Sequence, residues 1–292
     1  LKEYSRRYKT EDSKQVYYWT NFQLEDFDSD KKLFVFNNGL VCSELHWTNL
    51  FEFLDGQGEQ FLSYHYRGHF NSSKLNDVST CTFSQLAKDL KGIVGQIGAE
   101  KVVMFGHSMG SNVTLDFAKE NKDILKGMIL ISGTILPPFD HIFNSNISYL
   151  FAAMAKSVSN KFPVHFEKLW KEGYKNPLIT KIIHMGGFNA EQVPDEFVQL
   201  YVQKVGEVST DMFFHLINEM NTYENSYPAK NKIPTLIIGG DKDLVTPLYL
   251  QKYLHENMPN SQFYIVKDGS HVPMVDFPET MHEMIWEFIS SI

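Results

Sequence analysis

Arginine and cysteine are scarce in this 292-residue chain: it has Arg6, Arg7 and Arg67, and the cysteines Cys42 and Cys81. Two cysteines cannot build a disulfide framework and fit a reducing compartment such as the cytoplasm. The first ten residues are charged and hold no apolar signal core, although a signal already cleaved would leave the same sequence. Positive charge is also short. Twenty-seven Lys and Arg face 35 Asp and Glu, a formal net charge of −8. Phosphate-backbone binding needs clustered cations, so a nucleic-acid partner is excluded. No apolar run approaches the roughly 18 residues of a membrane span, and Ile147 to Ala155 falls far short. The expectation is therefore no integral membrane segment. Repeats and low-complexity blocks are missing. So are a P-loop, a dinucleotide-binding G-x-G-x-x-G and a Cys/His zinc spacing, so neither a cofactor nor a metal is expected. His65 and His69 flank a turn without a third ligand.

Apolar residues make up 43% of the chain and charged residues 21%, a composition that folds. At about 150 residues per domain the length suggests two units. Short apolar runs at Gln15–Thr20, Lys32–Phe36, Gln60–His65, Lys101–Phe105, Gly127–Ser132, Ile233–Ile238 and Gln262–Val266 read as strands covered on both faces. Between them Leu86, Leu90, Ile93, Val94 and Ile97 recur at helical spacing, with Thr82 and Gln85 as a capping box. A last helix starts at Pro278 and buries Met281, Ile285, Phe288 and Ile289. Strand–helix–strand succession implies right-handed crossovers and an α/β fold with a mostly parallel central sheet flanked by helices. Residues 134–232 break the alternation. Helical patterns follow Pro194 (Phe197, Leu200, Tyr201) and Ser209 (Met212, Phe213, Leu216, Ile217, Met220). A structureless loop of that length is improbable. Residues 134–232 therefore read as a helical cap inserted into a core of residues 1–133 and 233–292.

Gly106-His107-Ser108-Met109-Gly110 is a G-x-S-x-G pentapeptide between the strand ending at Phe105 and a helical stretch, Asn112–Lys119. That is the strand–turn–helix setting of a nucleophile elbow, where a serine sits on a strained turn and glycines leave room around it. A serine hydroxyl needs a base, and the base needs a carboxylate to orient it. His271, in Asp268-Gly-Ser-His271, follows the last strand, at the sheet edge where open α/β folds bind ligands. His107 adjoins the serine, but the turn points its side chain away. Asp241 and Asp243 follow the strand ending at Ile238. The chain order Ser, Asp, His is the one the nucleophile elbow uses.

These motifs resemble the α/β-hydrolase fold superfamily, in its capped esterase/lipase-like and haloperoxidase-like group. The resemblance covers nearly all the chain outside the insertion. It implies the acid three residues after Gly240 and shortly before Pro247, at Asp243 in preference to Asp241, with Asp140 as a further candidate. It also implies an oxyanion hole after the third strand, in Phe36-Asn-Asn-Gly-Leu40, formed by the backbone N–H groups of Leu40 and Met109. Asn38 departs from the family's usual histidine, and Ser111 replaces a common glycine. Tyr66-Arg67-Gly68-His69-Phe70 resembles an Arg-Gly-His-Gly turn that ends differently, and Arg67 is expected to be structural.

The implied reaction is ester hydrolysis through an acyl-enzyme. Ser108 attacks, His271 moves the proton, and Asp243 orients His271. Ser108 excludes a dehalogenase, which needs aspartate as nucleophile. The insertion carries Phe143, Tyr149, Phe151, Met154, Phe166, Trp170, Phe213, Phe214 and Tyr223. Its 15 aromatics in 99 residues only match the 14% of the whole chain, so composition does not single out a lipid. Arginine is more telling. None lies in the insertion, and anionic substrates often want an arginine clamp, so small neutral acyl substrates are favoured, unless a lysine such as Lys168 serves. Thioester hydrolysis, cofactor-free perhydrolysis or a slow-turnover ligand receptor would use the same residues.

Overall fold

The computed structural model describes residues 1–137, 157–159, 161–225 and 227–292. Its strands are β1 (Tyr4–Lys9), β2 (Gln15–Thr20), β3 (Leu33–Asn37), β4 (Gln60–Tyr64), β5 (Val102–His107), β6 (Leu125–Ile131), β7 (Thr235–Gly240) and β8 (Ser261–Val266). Its helices are α1 (Thr48–Gly56), α2 (Phe83–Ile97), α3 (Met109–Glu120), α4 (Pro163–Glu172), α5 (Pro177–Gly187), α6 (Asp195–Val205), α7 (Thr210–Asn221), α8 (Leu248–Glu256), α9 (Pro273–Asp276) and α10 (Pro278–Ser291).

The strands form one sheet in the order β1-β2-β4-β3-β5-β6-β7-β8. From β4 to β8 in that order every pairing is parallel, and β2 is antiparallel to both its neighbours. The inner parallel strands β3, β5, β6 and β7 are almost wholly buried because both faces are covered, whereas β8 at the edge alternates with solvent. Side chains alternate between the faces. Val35, Met104, Leu130 and Ile237 enter one buried cluster. Phe34, Phe36, Phe105 and Ile131 enter the other. Each cluster extends into the helices between β6 and β7. Met212, Leu216 and Met220 of α7 join the first, and Val198 and Val202 of α6 the second. A helical cap insertion thus packs on the α/β core.

β1 was not anticipated. Its alternating half-buried and exposed positions carry Arg6, Arg7 and Lys9, and charges hide the period of an edge strand. β5 runs on through Gly106 and His107, which pair with Leu130 and Ile131. β7 begins only at Thr235, after Pro234, which has no N–H to donate. The Thr82 hydroxyl caps α2 by accepting from Gln85 N at 3.2 Å. Gln85 turns its amide to Asp89 at 3.0 Å, so the cap is single where a reciprocal box was expected. On α6 the buried face is Val198 and Val202, and Leu200 points outward at 41% exposure. The seam on α7 matches its spacing. Phe143, Tyr149, Phe151, Met154 and Asp140 lie outside the described residues.

Because the sheet is parallel, the loops after β3, β5, β7 and β8 leave its carboxyl edge together. They carry Leu40, Ser108, Asp243 and His271.

Candidate active site

Ser108 has φ 52° and ψ −121°, a backbone conformation that residues with side chains rarely adopt. The turn is held by Ser108 N donating to Ile131 O at 2.9 Å and by Ser111 N donating to Ser108 O at 2.9 Å. Such strain persists only where the surroundings over-determine it. One restraint is the close approach of α3 to β3. A Cβ on Gly110 would lie 2.2 Å from the Asn37 carbonyl oxygen, so only glycine fits. Met109 opens α3, where N–H groups lack intrahelical acceptors and the helix dipole favours negative charge.

Asp243 is fully buried, and five donors converge on its carboxylate. Val245 N and Thr246 N reach Oδ1, each at 2.9 Å. Thr246 Oγ1 lies 2.8 Å and Gln251 Nε2 3.1 Å from Oδ2. His271 Nδ1 sits 3.1 Å from Oδ1 and 3.0 Å from Oδ2. The Thr246 hydroxyl has one proton and a second acceptor, Ser132 O, also at 2.8 Å. A neutral His271 that donates Nδ1–H to the carboxylate carries no proton on its other ring nitrogen. Asp241 is exposed on the same loop. The structure thus brings Asp243, not Asp241, to His271.

The His271 loop is fixed from both sides. Ser270 N donates to Asp276 Oδ2 at 2.6 Å, and Asn189 N, from the cap, donates to Asp276 Oδ1 at 3.2 Å. Burial pushes the Asp276 carboxyl up from its ordinary range. Below, a Cβ on Gly240 would meet Gly269 O at 2.1 Å, so the loops after β7 and β8 touch backbone to backbone. His107 lines the same cavity as Ser108 and supports the base loop, donating from Nε2 to His271 O at 2.9 Å. Burial holds its imidazole well below the usual value, so it stays neutral.

Leu40 lies on the wall of the same cavity as Ser108 and His271. Asn38, in place of histidine, is a structural hydrogen-bonder. Its Oδ1 accepts from Trp47 Nε1 at 2.9 Å and its carbonyl from Tyr66 Oη at 2.8 Å. Arg67 is buried in a bidentate pair with Asp89, at 2.6 and 2.7 Å, away from the serine's cavity. His65 bonds Glu44 at 2.9 Å, and His69 bonds the Arg67 carbonyl at 3.0 Å. Among the described residues no His/Cys/Asp/Glu cluster could hold a metal.

The cavity measures about 570 Å³ and is roofed by α4, α5 and α6. Aliphatic and aromatic side chains dominate the wall. No Lys, Arg, Asp or Glu is among its described lining residues, and Lys168 is exposed elsewhere. Tyr201 presents a hydroxyl there, 3.0 Å from Cys42 Sγ.

Sequence reasoning missed Thr246, Gln251, Asp276 and Asn189. Thr246 follows Asp243 by three residues, a spacing at which an aspartate can accept from the backbone ahead of it. Gln251 is reached only through the return of α8, and nothing in the sequence marks it.

Residues 32–278 match the family model described as the alpha/beta hydrolase fold. The chain belongs to the alpha/beta hydrolase fold family. An sn-1-specific diacylglycerol lipase of Mus musculus is 23% identical over 284 residues, which cover 92% of this chain and 85% of that protein. Among solved structures, a thermophilic esterase of Thermogutta terrifontis superposes with a TM-score of 0.75 at 19% identity, covering 100% of this chain and 99% of that one. A bromoperoxidase of Bacillus anthracis gives 0.74 at 19% identity, covering 99% and 100%. At that identity the solved structures establish the fold that this member of the family shares with them.

Proposed function

We propose that this alpha/beta hydrolase cleaves neutral carboxylic esters through an acyl-enzyme on Ser108. The observation that carries the reading is the buried Asp243–His271 pair at 3.0 Å, with His271 lining the same cavity as a serine on a strained elbow. Ser108 Oγ attacks the ester carbonyl. His271 accepts the serine proton on its free ring nitrogen and returns it to the departing alcohol. Asp243 holds the ring in one tautomer and stabilises the cation that forms. The N–H groups of Leu40 and Met109 bind the oxyanion, and each such donor is worth about 3–4 kcal/mol in studied enzymes. Water then repeats the sequence on the acyl-enzyme. The cap helices shape the acyl site. A charged substrate would be desolvated there against a wall with no counter-charge among the described residues, which favours neutral ones.

The test is hydrolysis of p-nitrophenyl esters from acetate to palmitate, with thioesters of equal acyl length alongside. Wild type should turn over esters with a chain-length optimum, and Ser108→Ala should lose at least about 10⁴-fold in kcat. Turnover that survives in Ser108→Ala would refute the assignment, and a preference for thioesters would move the substrate class.

A further inference from the structure

Large apolar side chains in water are unremarkable when scattered, but here many gather on two neighbouring cap helices. Phe162, Val164 and Leu169, at or on α4, are 53%, 77% and 58% exposed. Leu178, Ile182 and Met185 of α5 are 64%, 61% and 65% exposed. The last three stand at i, i+4 and i+7, one stripe of the helix. Leu169 and Ile182 also line the cavity of Ser108 and His271, so the exposed face runs without a break into the cavity mouth.

Charge separates in the same place. The chain carries −8, yet residues 157–187 hold five lysines against two glutamates. Lys171 and Lys175 pair with Glu167 and Glu172 at 3.2 and 3.6 Å. Lys161, Lys168 and Lys181 are exposed and make up the surplus. An apolar face fringed with lysine suits an anionic lipid–water boundary. It suits a second copy poorly, because a two-fold contact would set the same positive fringe against itself. The helices are ten and eleven residues long, and no helix among the described residues is long and apolar enough to cross a membrane. Such a face would lie on a bilayer and not span it.

We propose that the exposed face of α4 and α5 docks on lipid bilayers bearing anionic headgroups, with the cavity mouth opening at the boundary. An apolar ester would then pass from lipid to cavity without crossing water. That delivery rests on the ester-hydrolase reading, whereas the docking itself does not.

The experiment is co-sedimentation of the whole chain with vesicles of phosphatidylcholine alone and of phosphatidylcholine mixed with phosphatidylglycerol. Binding should favour the mixed vesicles and weaken with salt. Each lysine near an anionic leaflet is worth about fivefold in partition, so Lys168→Glu with Lys181→Glu should weaken binding by about 25-fold or more. Leu178→Glu with Met185→Glu should abolish it, while circular dichroism and turnover of a short water-soluble ester stay at wild-type levels. Ser108→Ala should bind like wild type, so docking and hydrolysis can fail separately. Absence of binding to both vesicle types would overturn the proposal, as would binding indifferent to these substitutions. A dimer in sedimentation that Leu178→Glu dissociates, without vesicle binding, would assign the face to a second copy and overturn it too.

Discussion

Replacing Arg67 with methionine separates a structural role from a chemical one. Arg67 is 1% exposed and Asp89 3%, and the guanidinium grips that carboxylate through Nε and Nη2. Its second pair, to Asp12 at 2.9 and 3.1 Å, is different, since the Asp12 side chain is 45% exposed. Exposed pairs contribute little, so the cost sits in the inner pair. Removing one member of a buried pair leaves the other charged and unpaired, at about 3–5 kcal/mol. Unfolding entropy of about 2.1 cal/mol/K per residue gives roughly 0.6 kcal/mol/K for 292 residues, so the Tm of Arg67→Met should fall by about 5–8 °C. Adding Asp89→Leu removes the orphaned charge and should restore much of the loss. Scanning calorimetry of the three proteins, with kcat measured well below the transitions, is the assay. The kcat should hold in all of them. A Tm unchanged within about 1 °C, or a thousandfold loss of kcat at unchanged Tm, would refute the reasoning, since it predicts a loss of stability alone.

Two further predictions come from buried titratable groups. Burial pushes the thiols of Cys42 and Cys81 up to about 12, so at pH 8 each should react with a disulfide reagent about 10³-fold more slowly than a free thiol. Denaturant should release both, and rapid labelling of the folded protein would contradict the burial. Burial also lowers His46 to about 3 and His69 to about 4, from an unfolded value of 6.5. Between those values the unfolded chain binds more protons, so this contribution is whole above pH 6.5, erodes as the pH falls below it and is exhausted near the folded values. Thermal melts from pH 7 to pH 4 should show a falling Tm, with a shallower slope in His46→Phe. An equal slope in the two proteins would show that His46 does not set it.

The inner parallel strands were legible because both faces are buried and apolar residues run on without alternation, as in Val102–Phe105. β1 was not, because an edge strand with one wet face can carry Arg7 and Lys9 there without cost. Ser108 was legible from the pentapeptide because its glycines answer to local contacts, such as Gly110 against Asn37. Asp243 and Asp241 are equivalent in composition. Only the fold shows one buried under five donors and the other in water. Gln251 and Asp276 hold those groups through tertiary contacts, 3.1 Å to Asp243 and 2.6 Å to Ser270, which no spacing encodes. The apolar face of α5 was hidden for a related reason, since a stripe at helical spacing reads as core whether or not anything covers it.

The most direct test of the central claim is labelling with a fluorophosphonate probe, read by intact-protein mass spectrometry. The account predicts one adduct on wild type, mapped to Ser108, with none on Ser108→Ala and labelling slowed by orders of magnitude in His271→Ala. A folded wild-type protein that takes no label, or takes it elsewhere than Ser108, would contradict it.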